Sequence, residues 1–569
     1  MPDFTKTQDI RPRSLPAFLW LALAVVVIIF YFFGLTIPLL GPDEARYAQV
    51  AREMFDKGDW ITPTLGGYNW FEKPALLYWL QIASYHAFGV NEFSARFGSA
   101  LFGLGTIASL WFLGHSATKS QIANPQFRIA TSYFPYWLTL ITASTFGIMV
   151  FARGASFDII ITFPITAALV SFFIFDQSTE RSFKKRYIPL ISFYVFIGLA
   201  LLAKGLIGIV FPFAIVGLFF LLSRRRPSST FLASVFWGTF LSLAIAAIWY
   251  LPMYQRHGYE FINDFFIQHH FARFTSNKYQ HPQPFYFFFW VLPLMTLPWL
   301  PFFFGALWRL AKSTVLHREI EMQREIHETK GMTFRRMGSA YELAPRKTLG
   351  VTGGSNLIAF ASAWLLVPLI FFSFSGSKLP GYILPAVPAA IVLTSIYVSS
   401  LVILSRTWRN TILAIAITTF LVSTLLLVFV VPRFADSDSV KSLIASADER
   451  GYSANRVVGL HTISHNAEFY AAGRLVRDET GRQRRFSGNG ELLEAMSAAS
   501  LDQVIVLVPL EYRAELTQDA RLKTEVLKDN GELAIAVVSP ERPITVAPPG
   551  GAGPSPPPQS PARRRTRNR

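Results

Sequence analysis

Leu15-Pro-Ala-Phe-Leu-Trp-Leu-Ala-Leu-Ala-Val-Val-Val-Ile-Ile-Phe-Tyr-Phe-Phe-Gly-Leu-Thr-Ile-Pro-Leu-Leu40 carries no charged side chain and runs directly into the acidic stretch Gly41-Pro-Asp-Glu-Ala-Arg-Tyr47. A helix needs roughly 20 apolar residues to cross a bilayer. The run is longer than a signal-peptide core and no small-residue cleavage pattern follows it, so it reads as a retained first span. Further runs near 96–117, 129–151, 155–176, 187–203, 205–223, 231–252, 285–311, 356–375, 381–404 and 411–431 make eleven in all. The 75–90 stretch and the long 285–311 run are ambiguous and extend the range to thirteen. The fold class expected is therefore an α-helical polytopic membrane protein. Composition agrees, since 51% of the 569 residues are apolar and 16% charged, which does not describe a string of soluble domains.

Charge sets the expected orientation, because cytoplasmic loops keep an excess of Lys and Arg. Eleven spans put the N-terminal tail (Lys6, Arg11, Arg13), Lys119/Arg128, Arg181 to Arg186, Arg224 to Arg226, the 312–355 loop and Arg406/Arg409 on one side, read as cytoplasmic. Loops 41–95 and 253–284, the turns near 153, 204 and 378, and everything after 431 fall on the periplasmic side. This division gives a transmembrane catalytic domain over 1–431, a periplasmic α/β domain over 432–540 and a disordered basic tail over 541–569. Short apolar strands such as Val504-Ile-Val-Leu-Val508 beside helical patterns such as Val440 to Ala447 carry the α/β reading. The Pro/Gly/Ser-rich end cannot bury a core. The net charge of +17 does not mark a nucleic-acid binder, because the basic residues cluster between apolar runs as topology requires. Without cysteine there is no disulfide, thiolate metal site or cysteine nucleophile.

Chemistry is sought among polar residues that topology does not explain, since a charge near lipid is costly without a partner. They gather on the outer side: Asp43, Glu44, Arg46, Tyr47, Glu72 and Lys73 in the first loop, Arg153 with Asp158, Lys204, then His269, His270, Arg273 and His281, and finally Lys378. Cations there run against the positive-inside bias, and several facing one site suggest a phosphate held at membrane depth. Fixed cations stabilise the charge that develops on a sugar phosphate as its bond to the sugar breaks. A carboxylate, Asp43 foremost, serves the other half by binding sugar hydroxyls or taking a proton from an acceptor hydroxyl. Each residue also has a plainer reading. Asp43-Glu44 after Pro42 supplies acids to an ordinary helix start, and Lys204 and Lys378 are placed to snorkel at span ends. His269-His270 are loop histidines or, with Glu72, ligands of a divalent ion, although their spacing is not a tight metal signature.

Gly41 to Tyr47, Gly58-Asp-Trp-Ile-Thr-Pro63 and Phe71-Glu-Lys-Pro-Ala-Leu-Leu-Tyr-Trp79 closely resemble the bacterial relatives of the protein O-mannosyltransferases in glycosyltransferase families 39 and 83, above all the aminoarabinose transferases that modify lipid A. The resemblance continues through Ala152 to Asp158, Lys204 to Gly208, His270 to Phe274 and Ser377 to Pro385. It implies a GT-C fold in the bacterial inner membrane and a polyprenyl-phosphate sugar donor. It makes Asp43 and Asp158, with Glu44, the candidate catalytic or sugar-orienting acids. By the same resemblance Arg46, Tyr47, Lys73, Arg153, Lys204, Arg273, Lys378 and Tyr382 become candidate contacts to the donor, and Glu72 with His269 or His270 candidate polar or metal contacts. The expected reaction moves a sugar, 4-amino-4-deoxy-L-arabinose or a hexose, to lipid A. Transfer to a protein or to another envelope lipid or glycan is the alternative. A transporter or flippase is the rival from another class, but inverted sequence symmetry and paired broken spans are missing.

Overall fold

The computed structural model of the chain describes residues 17–120, 133–178, 182–272, 283–312 and 352–541. Arg128, Arg181, Arg273, His281, most of the 312–355 loop and the basic tail lie outside them, as do the side chains of His269 and His270. The chain divides into two compact units, one formed by Met1–Lys441 with His465–Gly473, the other by Ser442–Ser464 with Arg474–Arg569.

The first unit is a multi-span membrane bundle. Among the described residues seven helices are long and apolar enough to cross a bilayer, with Glu92–Thr118, Phe157–Gln177, Phe183–Lys204 and Ser229–Gln268 leading the series. Where described, all eleven apolar runs contain helix, but four depart from a simple span. The first, helix α1 (Ala17–Phe32), stops well short of Leu40, because Gly34, just past its end, takes a left-handed φ of +74° that ends the helical ladder. The run at 129–151 breaks between Phe134–Ala143 and Phe146–Phe151. There Ser144 and Thr145 donate their hydroxyls to the carbonyls of Leu140 and Ile141 at 2.7 and 2.6 Å, competing with the backbone ladder. The run at 205–223 forms the shorter helix Ile207–Leu222, and the run at 285–311 bends by 119° between Phe287–Met295 and Leu300–Lys312.

Between the first spans lies the segment that positions the site. Helix α2 (Gly41–Lys57) buries Ala45, Tyr47, Ala48, Gln49, Val50, Ala51 and Met54; the consecutive stretch from Tyr47 to Ala51 goes round more than a full turn, so the middle of the helix is enclosed on all sides. A hairpin of β1 (Thr64–Leu65) and β2 (Tyr68–Asn69) follows, its turn held by Glu53, which accepts from the Gly66 and Gly67 amides at 2.6 and 3.1 Å. Helix α3 (Leu76–Phe88) covers the ambiguous 75–90 stretch; at about 1.5 Å per residue it is too short to cross a bilayer. Helix α4 (Glu92–Ser120) then begins the next span. The segment is fastened to the long helix Ser229–Phe261 by Arg256 on Asp59 at 2.8 Å, by the Thr62–His257 hydrogen bond at 3.0 Å and by Trp249 Nε1 donating to the Ile61 carbonyl at 2.9 Å.

The bundle core is aromatic, with Phe172 touching Phe193, Phe219, Phe231 and Phe360. Lipid gives little hydrophobic drive for helices to associate, so packing and interhelical hydrogen bonds do the work. Tyr194 and Ser234 share a bond of 2.8 Å, and Ser242 donates to the Tyr194 carbonyl at 2.7 Å.

The second unit is a five-stranded mixed sheet in the order β4 (Arg485–Phe486), β3 (Arg456–Leu460), β5 (Val504–Pro509), β7 (Leu533–Pro540), β6 (Leu522–Asp529). β4, β3 and β5 are parallel, while β7 is antiparallel to both of its neighbours. Val504 to Val508 are all buried, the mark of a central strand covered on both faces.

Candidate functional site

Helix α2 starts without a side-chain cap from Leu40. Gly41, at a φ of +66°, makes the left-handed step that turns the chain into the helix, which a Cβ would oppose. Glu44 then reaches back and accepts from the Leu40 amide at 2.8 Å. The same carboxylate accepts from the Ala155 amide at 2.6 Å and from Arg96 through Nε and Nη2 at 3.0 and 2.6 Å. Arg96 is buried and also donates to the carbonyls of Leu35, Ile37 and Pro38. A forked guanidinium suits this task because it offers five donors in fixed geometry. Glu44 is thus committed to a fourfold internal network that ties α2 to α4 and to the turn before Asp158.

Asp43, one residue earlier, is left on the outer side of that turn with 54% of its side chain exposed, 3.9 Å from Arg46. Arg46 also lies over the Trp70 ring, 5.6 Å from its centroid. Beneath them Tyr47 is buried and meets Phe157 edge-on at 4.9 Å, and Tyr78 meets the same ring at 5.4 Å. Burial first, then the nearby negative charges of Asp43 and Glu72, hold the Tyr47 hydroxyl well above the usual phenol range, so it remains a donor. The Tyr78 hydroxyl lies beside Trp70 and, buried, has no hydrogen-bond partner of good geometry among the described residues. His465 borders the same place, and burial followed by the charge of Arg46 depresses its pKa. Glu72 and Lys73 lie 3.4 Å apart, each side chain only 12% exposed.

The second acid opens the span Phe157–Gln177. Ser156 caps that helix by accepting from the Asp158 amide at 3.1 Å, and the Asp158 carboxylate pairs with Lys204 at the end of the next helix. Lys204 sits over the Tyr382 ring at 4.8 Å. A methyl at Gly381 would overlap Asp158 Oδ2, so only glycine lets this turn close over the acid. Three residues earlier in the same turn, Lys378 is buried and donates to the carbonyls of Gln283 and Ser375 at 3.0 and 2.7 Å. No carboxylate among the described residues pairs with it. Burial pushes its ammonium below the ordinary lysine range.

The structure thus joins Asp43, Arg46, Tyr47 and Glu72 in one group and Asp158, Lys204 and Tyr382 in another, linked through Phe157 and through Glu44 on the Ala155 amide. Arg153 stands apart: its guanidinium donates to the carbonyls of Phe30 and Phe33 at the end of α1 and packs on the Phe30 ring at 4.2 Å. The backbone of His269 and His270 is helical. Among the described residues no three His, Cys, Asp or Glu side chains come together in a way that could hold a metal ion. Sequence reasoning missed Arg96, Trp70, Tyr78, His465 and Gly381. Arg96 had a visible signal, a charge at the mouth of an apolar run, but it was absorbed into the boundary of that run.

A polytopic helical bundle with acids and cations collected at its helix ends, in a chain that also carries a small α/β sheet unit, is the GT-C type of membrane glycosyltransferase fold. The particular version is that of ArnT from Cupriavidus metallidurans bound to undecaprenyl phosphate, which this chain matches with a TM-score of 0.66 over 92% of its own length and 98% of that protein, at 20% identity. Residues 17–262 match the family described as dolichyl-phosphate-mannose-protein mannosyltransferase. Among curated proteins the chain is 30% identical over 386 residues to the undecaprenyl phosphate-alpha-4-amino-4-deoxy-L-arabinose arabinosyl transferase of Shewanella sediminis, covering 66% of this chain and 60% of that one. It is 28% identical over 388 residues to the transferase of the same name from Serratia proteamaculans, covering 66% and 59%. The chain therefore spans about three fifths of the length of these curated relatives. The resemblance carried by the Gly41–Tyr47, Gly58–Pro63 and Phe71–Trp79 motifs is borne out.

Proposed function

We propose that the protein is an inner-membrane glycosyltransferase that moves 4-amino-4-deoxy-L-arabinose from undecaprenyl phosphate to lipid A at the periplasmic face, with its N-terminus in the cytoplasm. The observations that carry the reading are an open acid, Asp43, beside Arg46, and a buried cation, Lys378, with no carboxylate partner among the described residues, in a fold of this type. The relatives' names, which specify an undecaprenyl-phosphate donor and an aminoarabinose group, support the choice of substrate.

In the proposed reaction an acceptor oxygen attacks the anomeric carbon, and the bond from that carbon to the carrier phosphate oxygen breaks. The electron pair leaves with the phosphate, where Lys378, Lys204 and Arg46 are the cations assigned to offset it. If the acceptor oxygen belongs to a hydroxyl, Asp43 takes its proton; if it belongs to an ionised phosphate there is no proton to remove, and Asp43 binds the sugar's amine or hydroxyls. Glu44 is assigned to holding the loop, and Asp158 to holding Lys204 in place.

The test supplies membranes containing the full chain with undecaprenyl-phosphate-linked aminoarabinose and lipid A, and follows the mass of lipid A. Addition of one aminoarabinose is expected. Modification of a protein or of another glycan with lipid A untouched would sink the acceptor assignment, and no transfer to any acceptor would sink the reading itself.

A further inference from the structure

Two consecutive amides precede the helix that carries Asp43, and neither is held by backbone. Leu40 donates to Glu44 at 2.8 Å, from within the helix itself. Leu39 donates to the hydroxyl of Tyr470 at 2.8 Å, across more than four hundred residues of chain. That hydroxyl in turn donates to Glu92 Oε1 at 3.0 Å, and Lys441 pairs with the same carboxylate oxygen at 2.6 Å. Glu92 has only 9% of its side chain exposed, and these two partners satisfy its enclosed carboxylate. The short helix Ala467–Tyr470 touches α2 a second time, where Arg52 lies 5.9 Å over the Phe469 ring and its Nη1 is 3.5 Å from the Phe469 carbonyl.

We propose that Tyr470 is a positioning residue for Asp43, its hydroxyl fixing the backbone turn from which the Asp43 helix starts. The phenol is suited to this because it can accept from the Leu39 amide and donate to Glu92 at once. Burial, then the negative charge of Glu92, pushes its pKa up, which keeps the donated proton in place. Phenylalanine would fill the same volume and leave the Leu39 amide without its acceptor. The turn would loosen, and Asp43, four residues on, would no longer be held at a constant distance from the reacting carbon.

The proposal rests on the transfer reading given above, and its test separates the two. Full-length wild type and Tyr470→Phe in membranes are compared by hydrogen exchange at the Leu39–Leu40 amides and by transfer kinetics with the aminoarabinose donor. Exchange at Leu39 should speed up while peptides from Glu92–Ser120 stay protected. The kcat should fall about tenfold and the donor KM should stay within about twofold, because misplacing a reacting group slows chemistry more than binding. Wild-type exchange and wild-type kcat in the variant would overturn the proposal, as would a loss confined to KM. If wild type itself transfers nothing, the transfer reading fails and the exchange arm alone decides the positioning role. Should Tyr470→Phe fail to accumulate, Glu92→Gln, which takes the charged acceptor from the hydroxyl, should speed the same exchange; wild-type protection there also overturns the proposal.

Discussion

Asp43 and Asp158 both stand in the first turn of a helix, yet the first keeps 54% of its side chain exposed while the second keeps 17% and is paired with Lys204. The two helix starts solve the same electrostatic problem differently. At α2 the adjacent Glu44 takes over the structural work, accepting the Leu40 and Ala155 amides and Arg96, and frees Asp43 from it. At Phe157–Gln177 the cap is Ser156, and the acid itself is locked between a lysine and a turn that passes so close at Gly381 that a Cβ there would overlap it. An acid whose neighbour carries the structure is placed to meet a substrate, whereas an acid locked in a pair sets the position of its partner.

The comparison predicts separable consequences. Asp43→Asn should have the largest effect, lowering transfer by about 10²–10⁴-fold with protein level and membrane insertion intact. Its ion pair with Arg46 is exposed and long, so little stability depends on it. Full transfer by this variant in the membrane assay would remove Asp43 from an essential role. Asp158→Asn should lower both transfer and stability, the latter by about 3 kcal/mol, because it leaves Lys204 enclosed without its counter-charge. The double variant Asp158→Asn/Lys204→Met should recover thermal stability in detergent without recovering transfer. An unaltered melting temperature in Asp158→Asn would mean that the pair does not lock the turn.

A smaller effect sharpens the same contrast at Lys378. Burial lowers its pKa in the folded chain, so between that value and the ordinary lysine value the unfolded chain binds more protons and stability rises with pH. Affinity for the donor phosphate needs the ammonium and should fall over that window. The donor KM should therefore climb on the alkaline side at lower pH than an exposed lysine would give, and Lys378→Arg should flatten the climb. A donor KM independent of pH up to the ordinary lysine range would argue against contact between Lys378 and the phosphate.

How much of this was legible in the sequence follows from what makes a residue conspicuous. Asp43, Asp158, Lys204 and Lys378 stand out as charges against apolar runs, and the helical character of those runs follows from length and hydropathy alone. Glu44 did not separate from Asp43, because two neighbouring acids look alike until their partners are known, and those partners are a backbone amide more than a hundred residues away and an arginine on another helix. Gly381 and Tyr78 were invisible for the opposite reason: one matters by lacking a side chain, the other by a buried hydroxyl that ordinary hydropathy counts as aromatic. The break at Ser144-Thr145 lies inside an otherwise apolar run, so a span-length window reads across it, whereas the excess length of the 285–311 run marks that run as ambiguous from sequence alone.

Arg96 has a consequence for how the protein is made. Among the described residues every hydrogen-bond acceptor of its guanidinium, from the carbonyls of Leu35, Ile37 and Pro38 to the carboxylate of Glu44, precedes it in the chain. A nascent chain emerges N-terminus first, so the whole receptor for this charge has been synthesised before the helix bearing the arginine enters the bilayer. The cation never waits in lipid for a partner still to be translated.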